Sequence, residues 1–522
     1  MWLRQAFSTK SLKVLLDEMA GQHRLHRVLG PVALSMLGIG SIIGTGIFVL
    51  VGVAAADYTG PALMLSFVVA GTACIFAALC YAEFASMAPV AGSAYTYGYA
   101  TMGELFAWII GWDLVLEYTV CSAAVAHGWS KYFQNLLSMG SIYIPPAFRD
   151  APFDYNIDTG EFVRTGSLLD LPAAVISLLL TIILVVGIRQ STWANGIMVV
   201  VKVAVVLFAI VVGAYYVNPD NWQPFAPYGY SGMSFFGHTV LGQESAGGKP
   251  VGMLAGAAII FFAYIGFDAV STHAEEAKKP ERDVPIGIIV SLVICTVLYI
   301  AMAAILTGMV PYNQLDKDAP VAAAFQSIGL PGAQFIINIG ALAGMTSVML
   351  VTMLSQPRVL LAMARDGLLP ESFFGAVHDK FRTPWKSTIL TGLVVASLAS
   401  MLPLSILADL VNIGTLLAFV IVCAAVLIMR RTNPEAHRPF RVPFSPLLPL
   451  LGIGFCLLLM FSLPLENWLR LAIWLLVGFM IYVFYGRHHS KLGIALRREV
   501  AEHGLSPAGA LVDPPPNDDR NR

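Results

Sequence analysis

The chain has 522 residues, of which 57% are hydrophobic and only 12% charged, with a formal net charge of −1. A soluble domain devotes about 25% of its residues to charge, so much of this surface must face hydrocarbon. No arm or helix gathers a basic excess, which excludes nucleic acid as a partner.

A helix crosses roughly 30 Å of hydrocarbon with about 20 apolar residues. Twelve runs are read as such spans: 31–53, 61–88, 104–136, 171–188, 194–217, 254–275, 286–309, 333–363, 387–403, 405–429, 446–464 and 468–486. Backbone amides in lipid find partners within their own segment unless a barrel closes. The alternation of a barrel is absent, so the fold class is an all-α polytopic membrane protein. Residues 1–30 form a polar, basic segment, and the run after it is too long and glycine-rich for a cleaved signal peptide. The connections 137–170 and 218–253 either lie over a vestibule or are merely exposed. Within the tail 487–522, residues 505–522 are polar and proline-rich and predicted to be disordered. The six cysteines lie in apolar stretches with neither metal nor disulfide spacing, and no metal or cofactor is expected.

Twelve spans place both termini on one side of the bilayer. Of the 31 lysines and arginines, 24 fall on that side, six fall on the other, and Lys202 lies inside a span. The positive-inside rule makes the terminal side cytoplasmic.

Two spans are interrupted. The first reads GIGSIIGTGIF, with Gly38, Gly40, Gly44 and Gly46 near mid-membrane. The pair Gly40 and Gly44 fits close helix packing. It fits equally an unwound segment whose second half offers open N–H groups to a carboxylate. The sixth span reads FFAYIGFDAVSTHAEEAKKPERDVP, interrupted at Gly266 and Asp268. Spans one and six are equivalent if the first ten form two five-helix repeats, and a matched pair of interrupted segments points to a midplane binding site. The first repeat is then 31–217 and the second 254–429, with two further helices over 446–486.

The stretches GIGSIIGTGIFVLVG, YAEFASMAPVAGSAYTY, FFAYIGFDAVSTHAEEAKKPERDVP and QPRVLLAMARDGLLP resemble the amino acid–polyamine–organocation superfamily, and most closely its cationic amino acid transporter branch. The resemblance runs from about residue 25 to 490. It implies a leucine-transporter-type fold, with ten core helices in two inverted repeats plus two peripheral ones. It also implies alternating-access import of L-amino acids across the cytoplasmic membrane, coupled to protons or by exchange. Carried over by motif, the substrate carboxylate meets Ile43, Gly44, Thr45 and Gly46, and its ammonium meets carbonyls around Phe262, Ala263 and Ile265. Met349, beside Met345 and Thr346 on the eighth span, is placed by the resemblance at the pocket, although packing also explains a methionine there.

An ionisable group inside a span needs a reason, because a charge at the bilayer centre costs about 2.5–3.5 kcal/mol or more. Lys202 either snorkels to the interface or, by the resemblance, stands where sodium-coupled relatives hold their ion. Glu117, one turn beyond Asp113, carries a proton or hydrogen-bonds an open helix end. Asp268 is expected to cap the broken helix or to pair with a base, and Glu83 to join an inner gate or a plain interface. An intramembrane protease is disfavoured, since His127 and His273 lack a serine partner. A channel is separable from a carrier by counterflow. No acidic residue clearly faces the distal pocket, which favours neutral amino acids; an exchanger of cationic amino acids is the alternative, and an accessory subunit is left open.

Overall fold

The structure, a computed structural model, describes residues 5–10, 29–87, 93–156, 161–187, 192–236, 238–381 and 383–503. Most of the basic segment 1–30, Arg189 and the tail 505–522 lie outside the described residues. Among the described residues, eight helices are long and apolar enough to cross a membrane, and four further apolar helices are shorter.

The first apolar run is not one helix. Helix α1 (Pro31–Ile42) stops, and a second half resumes over 46–59. Helices α2 (Leu63–Met87), α3 (Ser93–Thr101) and α4 (Glu104–Met139) follow, then α5 (Leu171–Val186) and α6 (Thr192–Ala214). The next run breaks in its turn. Helix α7 (Met253–Ile260) passes into a 3-10 turn at Phe261–Tyr264, and a short helix resumes at Ala269–Thr272. Beyond it lie α8 (Pro280–Met309), α9 (Pro320–Ser327), α10 (Pro331–Arg365), α11 (Trp385–Met401) and α12 (Leu404–Thr432). Pro403 separates α11 from α12, where the sequence divides them. Helices α13 (Leu447–Phe461), α14 (Leu465–Ile481) and α15 (Lys491–His503) complete the chain. Proline opens several of these helices, at positions whose N–H would have no helical partner. Asp170 caps α5 by accepting from the Ala173 N–H at 3.1 Å.

Among the described residues, the paired strands lie in the two long connections, and one isolated parallel bridge joins Leu29 to Ala277. Phe153–Asn156 pairs with Glu161–Arg164, Met233–Phe235 with His238–Leu241, and Gln243–Glu244 with Pro250–Val251, all antiparallel. Hydrophobic-run counting misses such hairpins, because they lie outside the apolar layer.

The ends of α4 differ. At its start Glu104 accepts from Gln5 Nε2 at 2.9 Å, Tyr482 Oη at 2.9 Å, Tyr99 Oη at 3.0 Å and Ser490 Oγ. That network draws residues 5–10 and the segment before α15 onto this end. The far end of α4 borders an open cavity of 660 Å³.

Candidate binding site at two helix breaks

Helix α1 ends because Ile43 leaves the helical region, with φ −73° and ψ 102°. Among the described residues, the N–H groups of Gly44 and Thr45 donate to no protein acceptor. The Thr45 hydroxyl, 1% exposed, also has no partner. These groups stand at the start of the resumed helix, where open amides and the helix dipole favour an anion. Gly44 is not among the positive-φ residues. Its constraint is space: a Cβ there would stand 3.0 Å from Val348 Cγ2.

The two breaks are fastened to each other. A Cβ on Gly46 would lie 2.4 Å from the Ala263 Cα, so the backbones pass with no room for a side chain. Gly266 has φ +116°, a conformation that favours glycine, and its carbonyl accepts from Ser41 Oγ at 2.7 Å. Tyr299 Oη lies 2.9 Å from the Ile42 carbonyl and 2.8 Å from the Ala263 carbonyl, its one proton shared between the two acceptors. Asn412 Nδ2 donates to the carbonyls of Ala258 and Ile259, at 2.9 and 3.1 Å. Of the carbonyls expected to meet an ammonium, that of Phe262 already accepts from the Ile265 N–H at 3.2 Å. That of Ala263 takes Tyr299, and the Ile265 carbonyl takes no backbone donor among the described residues. A carbonyl with one donor keeps a second lone pair.

Lys202 does not snorkel. It is fully buried, and its Nζ donates to the carbonyls of Gly40 and, at 3.4 Å, Ile43. The ammonium thus caps the C-terminal end of α1, where the dipole is negative. Its stem lies near Gly344 of α10, where a Cβ would be 3.6 Å from Lys202 Cβ.

Glu117, Asp113 and Asp268 are all buried. Asp268 Oδ2 accepts from Tyr118 Oη at 2.9 Å. The expectation of a cap or a base for Asp268 is corrected: it makes no side-chain cap bond, because its reachable donor is a phenol on the helix packed alongside. Among the described residues, its other oxygen, both oxygens of Asp113 and Oε1 of Glu117 have no hydrogen-bond partner. Glu83 accepts from Arg430 Nε at 3.0 Å and from the Val442 N–H at 2.8 Å, tying α2 to the segment after α12.

Phe262 is 4% exposed and Met349 wholly buried. Along α10, Thr352 Oγ1 pairs with Ser122 Oγ at 2.7 Å, and Thr346 Oγ1 accepts from Trp129 Nε1 at 3.1 Å. These two residues flank Met349 by about 60° on either side, so Met349 faces α4. Val348, which no motif flagged, is the residue against Gly44. Sequence reasoning also missed Tyr299, although a hydroxyl among aliphatic residues of a span must find an acceptor and was a usable signal.

The 660 Å³ cavity reaches Val49 and Leu50 on the resumed half of the first broken helix. Its wall mixes both signs of charge, among them Lys131, Asp150, Lys249, Asp409 and Arg470. Burial, the largest influence, raises the Asp150 carboxyl, but the Lys131 ammonium at 2.6 Å and the other groups around it, the Ala151 N–H among them, together hold it below its ordinary value. The connection 137–170 therefore lies over a vestibule rather than hanging free.

Two broken helices fastened back to back, within a bundle of membrane-length helices, define a multi-pass membrane protein. A family model described as amino acid permease matches residues 29–485. The chain belongs to that amino acid permease family, within the amino acid–polyamine–organocation superfamily. It is 48% identical over 487 residues to a branched-chain amino acid permease of Bacillus subtilis, covering 93% of this chain and 98% of the relative. It is 46% identical over 486 residues to a methylthioribose transporter of the same organism, covering 93% and 99%. A vacuolar cationic amino acid transporter of Arabidopsis thaliana is 32% identical over 592 aligned positions, covering 91% and 94%. These relatives are transporters and not enzymes.

Proposed function

We propose that the chain is a secondary active transporter that imports neutral L-amino acids, branched-chain ones foremost, across the cytoplasmic membrane by alternating access. The observation that carries this reading is the pair of open N–H groups at Gly44 and Thr45, facing a second broken helix that still has carbonyl lone pairs. A zwitterion satisfies both ends at once. The ten core helices form two five-helix inverted repeats, followed by two more spans, with both termini cytoplasmic. Helix packing supports this: α2 with α8, α4 with α10 and α5 with α11 are among the most extensive contacts. Each of those pairs joins a span to the one five positions on, as a two-fold axis through the core requires.

The site residues are Ile43, Gly44, Thr45 and Gly46 for the carboxylate, Phe262, Ala263 and Ile265 for the ammonium end, and Met349 with Val348 for the side chain. Lys202 replaces a bound sodium ion, and Glu117 or Lys202 carries the proton, so transport is proton-coupled and sodium-independent. The mixed charge of the vestibule suits a zwitterion better than a cation.

Methylthioribose is the second reading, favoured by one relative at 46% identity. Thermal unfolding of the purified protein with leucine, arginine or methylthioribose separates the readings, because a ligand of the folded state raises the melting temperature. Stabilisation by leucine and isoleucine, with none by the other two, is expected. Stabilisation by methylthioribose alone would overturn the amino acid assignment, and by arginine alone the neutral preference.

A further inference from the structure

The wall of the vestibule holds a second constellation that the transport reading does not use. His127 on α4, Asp150 in the connection after it and Asp170 at the start of α5 each offer a ligand atom, all within 4.8 Å of one another. His127 is 4% exposed and Asp170 fully buried. His127 Nδ1 lies 3.4 Å from Asp170 Oδ2, and among the described residues neither atom makes a hydrogen bond. His127 Nε2 lies 3.9 Å from Asp150 Oδ1.

A structural histidine–carboxylate pair closes to about 2.8 Å, because the unmade bond leaves two buried polar atoms unsatisfied. Here the gap is held open from outside. Ser130 Oγ at 2.6 Å and the Ala173 N–H at 3.1 Å anchor the other oxygen of Asp170. Lys131 Nζ at 2.6 Å holds Asp150 Oδ2, while the Ala151 N–H at 2.8 Å takes only one lone pair of Oδ1. Two carboxylate oxygens and a ring nitrogen of His127 thus lie within 4.8 Å of one another, and among the described residues His127 Nδ1 and Asp170 Oδ2 are left without a hydrogen bond.

We propose that His127, Asp150 and Asp170 form a binding site for a divalent transition cation of the zinc class, on the vestibule wall. Zinc binds imidazole nitrogen at about 2.0–2.1 Å and carboxylate oxygen at about 2.0–2.2 Å, so ligand atoms around one tetrahedral ion lie roughly 3.4 Å apart. Only one ring nitrogen of His127 can bind the ion, and the three ligand atoms, all within 4.8 Å of one another, must close by up to about 1.4 Å around it. The surrounding charge also fits: with neutral His127, the charges of Asp150, Asp170, Lys131 and Asp318, which lies 3.3 Å from Lys131, sum to two negative. Nitrogen beside oxygen donors favours zinc over magnesium. Occupancy joins α4, the 137–170 connection and α5, so the ion slows the movement of the vestibule wall.

The test is zinc titration calorimetry on the untagged, full-length purified protein, with magnesium as control, beside counterflow in proteoliposomes. One zinc ion per chain with micromolar affinity is expected, at least tenfold weaker in both His127→Gln and Asp150→Asn and unaffected by magnesium. Asp150 lies at the cavity edge, so its variant reports even if His127→Gln folds poorly. Counterflow by wild type should slow when zinc is added outside, and Asp150→Asn should escape that inhibition. Wild-type zinc binding no tighter than that of the two variants, or displaced equally by magnesium, would overturn the proposal.

Discussion

Glu104 and Glu117 stand on the same helix and are both buried, yet one is satisfied and the other is not. Glu104 accepts from four donors drawn from the N-terminal segment, α3 and the C-terminal region. Glu117 has an oxygen without a partner and, on its own side of α4, Asp113 with two more. Full pairing marks a place that holds the molecule together. Open pairing at the helix breaks marks a place where a proton, a substrate or a rearrangement completes the bonding, since an unmade buried bond costs about 1–3 kcal/mol. The same contrast separates the closed end of α4 from the vestibule end, where His127 and Asp170 face each other unbonded.

The comparison breaks first at the carboxylate cradle. Gly44→Val should weaken leucine binding at least roughly a hundredfold, about 2.7 kcal/mol, because the added methyl groups meet Val348 and cover the open amides. Circular dichroism and the melting temperature should stay close to wild type. Undiminished affinity in a folded Gly44→Val protein would return the glycine cluster to plain helix packing.

The two acids can then be set against each other. Glu117→Gln should abolish leucine accumulation driven by an inward proton gradient while sparing counterflow and stability. Glu104→Ala should do the reverse, retaining coupling but losing roughly 3 kcal/mol of stability as its four donors lose their acceptor. If both variants lose coupling to the same degree, hydrogen-bond satisfaction does not distinguish the two roles.

Lys202→Ala sharpens the same contrast, because this ammonium is paired yet sits at the break. Gradient-driven accumulation should fall about tenfold with exchange retained, and replacing sodium by potassium should leave the wild type unchanged. Strong sodium stimulation of the wild type would sink the idea that the ammonium stands in for the ion.

The smallest effect is expected at α10. Met349→Ser should admit larger or cationic amino acids, with arginine competing against labelled alanine a few-fold better than in wild type. Val348→Ala, on the face toward Gly44, should relax selection among alanine, valine and leucine instead. An unchanged inhibition profile in an active Met349→Ser protein would make this methionine packing against α4.

Much of the architecture was legible in the amino-acid order because lipid allows so few solutions. Apolar runs had to be helices, and the glycines at 44, 46 and 266 had to mark places where two backbones approach or turn. The family was equally readable, because those breaks carry its motifs. Periodicity within one span says nothing about its neighbours, so Val348 against Gly44 was not legible. Nor were the Tyr299 hydroxyl bridging two breaks, the orientation of Met349 toward α4, or the phenol rather than a base on Asp268. Those contacts join residues far apart in the chain, and only the packing of whole helices decides which polar atom meets a partner and which is left open. The chain order marked where two spans are interrupted by glycine and left packing or unwinding open at the first; the tertiary structure decided that both helices break and which atoms the breaks left free, because pairing across helices depends on their relative rotation and depth.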